Sequence, residues 1–200
     1  MLHKISNNIT NYLITENYIK SEKQTWCIYL IEKKLIQYTA LSITMLIGSI
    51  FFSFYECLLF TIFFTTLRKY AGGYHAKSPS VCIISSIFLL LICIYFSRLL
   101  VRCNIIFVLV ASIISFTLLF LFAPINHPNM HYSLKEYIAV KNRLHFILNI
   151  YIAILLISYL YFKTIFRCLL IAIIAVTFTV LIAKILKQEV KPNENHKRKN

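Results

Sequence analysis

Aspartate is absent from this 200-residue chain, and acid of any kind is scarce: seven glutamates stand against 21 lysines and arginines. A Cys-His-Asp triad is therefore impossible, and Glu56 is the one carboxylate set inside an apolar stretch. Glycine is nearly as rare, with three residues, of which Gly72 and Gly73 are adjacent and Gly48 stands alone. A lone Gly48 makes no small-residue interface motif, so a homodimer is compatible with the sequence but unmarked by it. The six cysteines, at 27, 57, 82, 93, 103 and 168, show no close pairing and do not read as a disulfide framework. Most suit small apolar fillers in membrane helices. Residues 1–34 lack a compact apolar segment ending in small residues, so no secretory signal is read and the amino terminus is expected to be retained.

What the chain has in abundance is apolar length. Hydrophobic residues make up 59% and mean hydropathy is +0.73. Stretches near Leu35–Ser53, Phe54–Leu67, Ser80–Ser97, Ile105–Ala123, Leu144–Phe162 and Ile165–Ala183 approach the roughly 20 residues that cross a hydrocarbon core. The first two form one apolar block broken by Glu56, open to two short crossings or a re-entrant hairpin. The expected fold is an all-α polytopic membrane helix bundle of four to six spans, preceded by amphipathic helices. Ile5, Ile9, Tyr12 and Leu13 recur at helical spacing among Lys4, Asn7, Asn8 and Asn11, as a surface-lying helix requires. A single integral domain is read, with residues 1–34 interfacial, 35–183 spanning and 184–200 a basic tail. No internal repeat is seen.

Basic residues orient the bundle, because Lys and Arg near span ends stay on the cytoplasmic side. With both termini inside, the cytoplasmic segments 1–34, 68–79, 124–143 and 184–200 hold 17 of the 21, and the external ones only Arg98, Arg102, Lys163 and Arg167. The formal charge of +14 does not point to nucleic acid, since the cations cap spans and no folded basic module remains to read a groove. Anionic lipid is the expected partner of the tail, through Lys184, Lys187, Lys191, Lys197, Arg198 and Lys199. An acidic peptide would suit the same charges.

Chemistry concentrates in Arg68-Lys69-Tyr70-Ala71-Gly72-Gly73-Tyr74-His75-Ala76-Lys77-Ser78-Pro79-Ser80-Val81-Cys82. Ser78 suits an N-cap and Pro79 a first helical residue, which puts Cys82 in the first turn of a span. Helix amino termini and nearby cations, such as Lys77, favour thiolate. His75 precedes Cys82 by seven residues, about 10 Å on a continuous helix, whereas a general base must come within roughly 3 Å. The pair works only if the segment bends, and Gly72-Gly73 with Ser78-Pro79 are residues that bend it. The same residues also suit a plain turn with a solvated histidine. His75 and Cys82 are thus candidate base and nucleophile.

The group orienting His75 is not legible. Glu56 is expected near the opposite face, leaving a backbone carbonyl or an amide such as Asn126 or Asn129. His127 and His131 are spaced i, i+4 and with His75 and Cys82 could in principle hold zinc, but Pro128 interrupts them and no HExxH accompanies them. No metal or other cofactor is expected. His145 opens a span and reads as interfacial.

Gly72-Gly73-Tyr74-His75-Ala76, with cysteine seven residues after the histidine, resembles the accessory gene regulator B (AgrB) family, membrane endopeptidases of Gram-positive quorum sensing. Size, spans and basic termini are similar too. Ala123-Pro124-Ile125-Asn126-His127-Pro128-Asn129 is similar to that family's Ala-Pro loop, although Met130-His131 follows where the family has a Lys-Pro pair. The resemblance covers essentially the whole chain.

It implies a cysteine peptidase, with His75 as base and Cys82 as nucleophile, that removes the acidic carboxyl-terminal part of a small propeptide of the accessory gene regulator D (AgrD) type. An acyl-thioester on the enzyme would then be captured by a thiol or hydroxyl of the peptide, closing a thiolactone or lactone. Arg68, Lys69 and Lys135 are candidate contacts for the acidic tail, against their ordinary role as topology markers. A peptide exporter or non-catalytic scaffold is the competing class. It would want spans and basic patches as well, but paired broken helices or repeated halves are not evident.

Overall fold

The computed structural model describes residues 2–74, 79–100, 104–126 and 133–187. Their architecture is an all-α bundle of seven helices: α1 (Leu2–Thr15), α2 (Gln24–Phe51), α3 (Phe54–Ala71), α4 (Pro79–Leu99), α5 (Ile105–Phe122), α6 (Leu134–Tyr161) and α7 (Lys163–Ile185), with a short 3₁₀ turn at Ser21–Lys23. Ser21–Phe51, Leu134–Tyr161 and Lys163–Ile185 are each long and apolar enough to cross a membrane, and α4 and α5 hold shorter apolar stretches.

The apolar block around Glu56 is two helices. Phe52 and Ser53 are extended, with ψ of 173° and 133°, and α3 begins at Phe54 as expected. No glycine or proline sits at the break. What marks it is charge: Arg98 from the end of α4 donates to the Glu56 carboxylate at 2.8 Å and lays its guanidinium carbon 4.7 Å from the centre of the Phe52 ring. Gly48, one turn before the end of α2, lets the pair pack. A Cβ there would stand 2.5 Å from Leu90 Cδ2 and 3.0 Å from Cys57 Sγ.

α7 is the axis of the bundle, contacted by α3, α4, α5 and α6. It is buried on nearly every side, and Ala172, Ala175 and Ala183 let neighbours approach closely. A single residue, Phe162, links it to α6. The span expected from Leu144 is the later part of α6, whose start at Leu134 is set by a capping box: Ser133 Oγ accepts from the Glu136 amide and Glu136 Oε2 accepts from the Ser133 amide at 3.1 Å.

α1 folds back on the start of α2, with Ser6 and Thr10 buried and Gln24 Nε2 donating to Asn11 Oδ1 at 3.0 Å. The apolar stripe Ile5, Ile9, Tyr12 stays exposed. Thus α1 packs through small polar residues while presenting the expected apolar face outward.

The ends of the bundle differ. At one end Glu56, in the first turn of α3, meets Arg98 and, at 4.0 Å, Arg167 of the second turn of α7. Tyr55, Tyr161 and Lys163 line a cleft there. The other end gathers the carboxyl ends of α3, α5 and α7 and the amino ends of α4 and α6. An 18-residue helix such as α3 is about 27 Å long, so the two ends are a bilayer core apart.

Candidate functional site

The second end is where the segments singled out in the sequence converge. α3 terminates at Ala71 because Gly72 and Gly73 take φ of 74° and 129°, conformations that L side chains resist. Both glycines are also needed for space. A Cβ on Gly72 would stand 2.9 Å from the carbonyl oxygen of Ile125, and one on Gly73 would stand 2.8 Å from Thr179 Oγ1 and 3.2 Å from Arg68 Nη1.

Three polar contacts fix this turn. The Ile125 amide donates to the Ala71 carbonyl at 3.0 Å, joining the glycine turn to the Ala-Pro segment. The Tyr74 amide donates to the Thr179 carbonyl at 3.0 Å, joining it to α7. Arg68, one turn before the end of α3, reaches forward and donates through Nη2 to the Tyr74 carbonyl, with its guanidinium 5.7 Å from the Phe64 ring. Arg68 therefore holds the chain as it leaves the turn, a use that a reading of it as topology marker or tail contact does not contain.

The Ala-Pro segment is built to meet this turn. The Ala123-Pro124 bond is cis, and Ala123, Pro124, Ile125 and Asn126 are all buried. Lys184 of the last turn of α7 lies 4.4 Å from the ring of Phe122, at the end of α5. Thus the two motifs, some fifty residues apart in the chain, form one buried wall with α7.

Cys82 is the fourth residue of α4, whose first is Pro79 as expected. Its backbone is thereby in the first turn. Arg98 lies 16 residues on, about 24 Å along the helix, and pairs with Glu56 at the far end. The amino end of α4 and the glycine turn thus share one end of the bundle. The side chain of Cys82, and His75, Lys77 and Ser78 entirely, lie outside the described residues, as do Pro128, Asn129 and the histidine pair His127 and His131. Lys69 is exposed at the end of α3 and Lys135 in the first turn of α6, both at this end.

Two further residues can be placed. Glu56 is at the opposite end, as expected, and so far from the glycine turn that its carboxylate serves the α3–α4–α7 junction. His145 lies within α6 with its ring 5.1 Å from that of Phe120 and its Nε2 buried without a hydrogen-bond partner among the described residues. Thr179 is unmarked in the sequence: a threonine two residues after Thr177 in an apolar helix carries no sign of the segment it receives.

Comparison with known proteins gives one family and no close relative. The family described as Accessory gene regulator B matches residues 6–189. Neither a curated protein nor a solved structure matches. The match runs from α1 to beyond α7 and takes in both converging segments, and this chain belongs to the accessory gene regulator B family.

Proposed function

We propose that the protein is a membrane cysteine endopeptidase in which Cys82 attacks, and His75 activates, to remove the acidic carboxyl-terminal part of a small quorum-sensing propeptide. Family membership places the chain in quorum-sensing peptide processing with a propeptide of the accessory gene regulator D type, and its long apolar helices fit a membrane protein. The observation that carries the finer reading is the junction of Gly72–Tyr74 with Ala123–Asn126 on Thr179, at the end of the bundle where α4 begins.

The chemistry in this reading is that of a cysteine peptidase. His75 takes the proton of the Cys82 thiol, and the sulfur adds to the scissile carbonyl. The amide C–N bond breaks, the imidazolium gives its proton to the leaving amine, and the acyl group remains on sulfur as a thioester. A thiol or hydroxyl of the bound peptide then adds to that thioester, closing the ring and returning the proton and Cys82 to their starting state. The energy of the broken amide is kept only while water is excluded. The place of Cys82 in the first turn of α4, at the positive end of the helix dipole, favours the thiolate.

Charge directs the substrate. Lys69 and Lys135 stand exposed on this end, and Arg68 beside the turn adds a third cation, together a receptor for an acidic tail. Both termini and this end face the cytoplasm in this reading, with anionic lipid around the basic tail.

The test is co-expression with the propeptide encoded beside the gene, comparing the native protein with His75→Ala and Cys82→Ser after each is shown to insert. Cleavage by the native protein alone supports the dyad. Cleavage by both variants sinks it. Absence of cleavage by the native protein, with peptide still bound or exported, favours the scaffold or exporter.

A further inference from the structure

α5 and α6 both pack on α7, and they meet through side chains where the ring of His145 lies 5.1 Å from that of Phe120. Phe120 is two residues before the end of α5 and five before Ile125, whose amide bonds the Ala71 carbonyl. The ring pair therefore stands at the end of the bundle that holds the glycine turn. Both residues are half-buried, yet His145 Nε2 is shielded and makes no hydrogen bond among the described residues, where it is the only buried side-chain nitrogen or oxygen without one. An unpaired buried polar atom destabilises the free protein. Phenylalanine would fill the same space against Phe120 and need no partner, so packing alone does not account for a histidine here.

No carboxylate of the neighbouring helices answers it. On α5, α6 and α7 the sole acidic residue is Glu136, which accepts from the amide and the hydroxyl of Ser133. The charges near the ring pair are positive. Lys141, half-buried, is one turn before His145 and so on the same face of α6, and the Lys184 ammonium lies 4.4 Å from the ring of Phe122. An imidazole with its proton on Nε2 donates to an oxygen, and a carboxylate is the oxygen that Lys141 also attracts. Phe120 is partly exposed, and its ring can swing outward as a ligand enters.

We infer that His145 and Lys141 form a receiving site for a carboxylate of the propeptide's acidic tail, entered between α5 and α6, with Nε2–H donating to the carboxylate oxygen. The inference rests on the propeptide as substrate and is independent of which residues cleave it. Lys69 and Lys135 are exposed cations that draw an acidic tail in; His145 adds a shielded donor that holds it.

Binding tests it, measured on the full-length Cys82→Ser protein in nanodiscs with the fluorescently labelled propeptide encoded beside the gene. His145→Phe keeps the ring contact with Phe120 and removes the donor. It is expected to weaken binding about tenfold while the melting temperature stays equal or rises, because an unpaired polar atom has gone. His145→Gln, which carries an amide to a similar reach, should recover part of the affinity, and Lys141→Gln should weaken binding about threefold at unchanged melting temperature. A propeptide whose tail carboxylates are replaced by amides should bind the parent and His145→Phe proteins alike. Parent-like affinity in the folded Phe variant overturns the inference; should that variant fail to insert, parent-like affinity in Lys141→Gln does so. A tenfold difference that persists with the amide propeptide also overturns it, since the occupant is then not the acidic tail. Absence of binding by the parent protein removes the substrate itself and the inference with it, whereas a failed peptidase reading is recognised separately, by cleavage that survives Cys82→Ser.

Discussion

Thr179 receives Tyr74 through a backbone hydrogen bond of 3.0 Å, and its Oγ1 lies 2.8 Å from where a Cβ on Gly73 would stand. A helix residue more than a hundred positions later in the chain thus sets how closely the glycine turn seats. Gly73→Ala meets two obstacles, since its φ of 129° is strained for alanine whatever the space. Strain of about 1–3 kcal/mol is expected, enough to displace the turn without unfolding a bundle. Insertion should be normal and cleavage should fall at least about tenfold. Thr179→Ala added to Gly73→Ala removes the 2.8 Å contact but leaves the φ and the tight 3.2 Å approach to the Cβ of residue 179, so it should recover only part of the loss, as a kinetic comparison of the single and double variants would show.

Arg68 separates charge from geometry. Its guanidinium donates to the Tyr74 carbonyl and flanks Gly73, so a forked donor of fixed reach is required. Arg68→Lys keeps the charge and should still lose cleavage, by about tenfold, with KM changed little. A cation serving only the acidic tail would tolerate lysine and show its loss in KM upon reversal to glutamate. Lys69→Glu and Lys135→Glu, both on exposed side chains, should show that second pattern.

How far the sequence reached is clear from these residues. Gly72-Gly73, Pro79 and the break before Phe54 were legible because each is written in local chemistry: positive φ, a missing donor, a carboxylate in an apolar run. Asn126 could be named there as one acceptor among several, but its burial against the turn depends on a pairing across fifty residues that no local pattern encodes. Thr179 and the forward reach of Arg68 were invisible for the same reason. The early start of α6 has a local signal too: Ser133 and Glu136 have the spacing of a capping box, ahead of a stretch whose charges read as loop.

Glu56 offers a control on distance. It pairs with Arg98, whose side chain is 47% exposed, and approaches Arg167 at 4.0 Å. Solvent screening at such exposure limits the pair to about 1 kcal/mol or less. Glu56→Gln should therefore lower the thermal stability of the detergent-solubilised protein modestly and leave kcat within about twofold, because the junction is about 22 Å from Ala71 along α3. A large loss of kcat at unchanged stability would show that this end is coupled to the site.

Gly48 tests the packing of α2. Alanine there gains helix propensity of about 1 kcal/mol but brings its Cβ against Leu90 Cδ2 and Cys57 Sγ, both on buried residues. The Leu90 methyl can turn aside, so Gly48→Ala should be close to neutral. Gly48→Leu cannot be absorbed this way and should cost about 2 kcal/mol or more, seen as a fall in melting temperature or in the yield of folded protein.

The two ends of the bundle can be assigned to the two sides of the membrane by single added cysteines. Ser21 and Lys135 are exposed at the end that holds the glycine turn, and Tyr161 is exposed at the end that holds Glu56. If the excess of lysine and arginine orients the chain, Tyr161→Cys should react with a membrane-impermeant maleimide in intact cells, and Ser21→Cys and Lys135→Cys only after the cells are opened. The native protein labelled in parallel gives the background from its own cysteines. Labelling of Ser21→Cys or Lys135→Cys in intact cells would place the glycine turn outside, and an outward-facing turn would have to meet its propeptide after export.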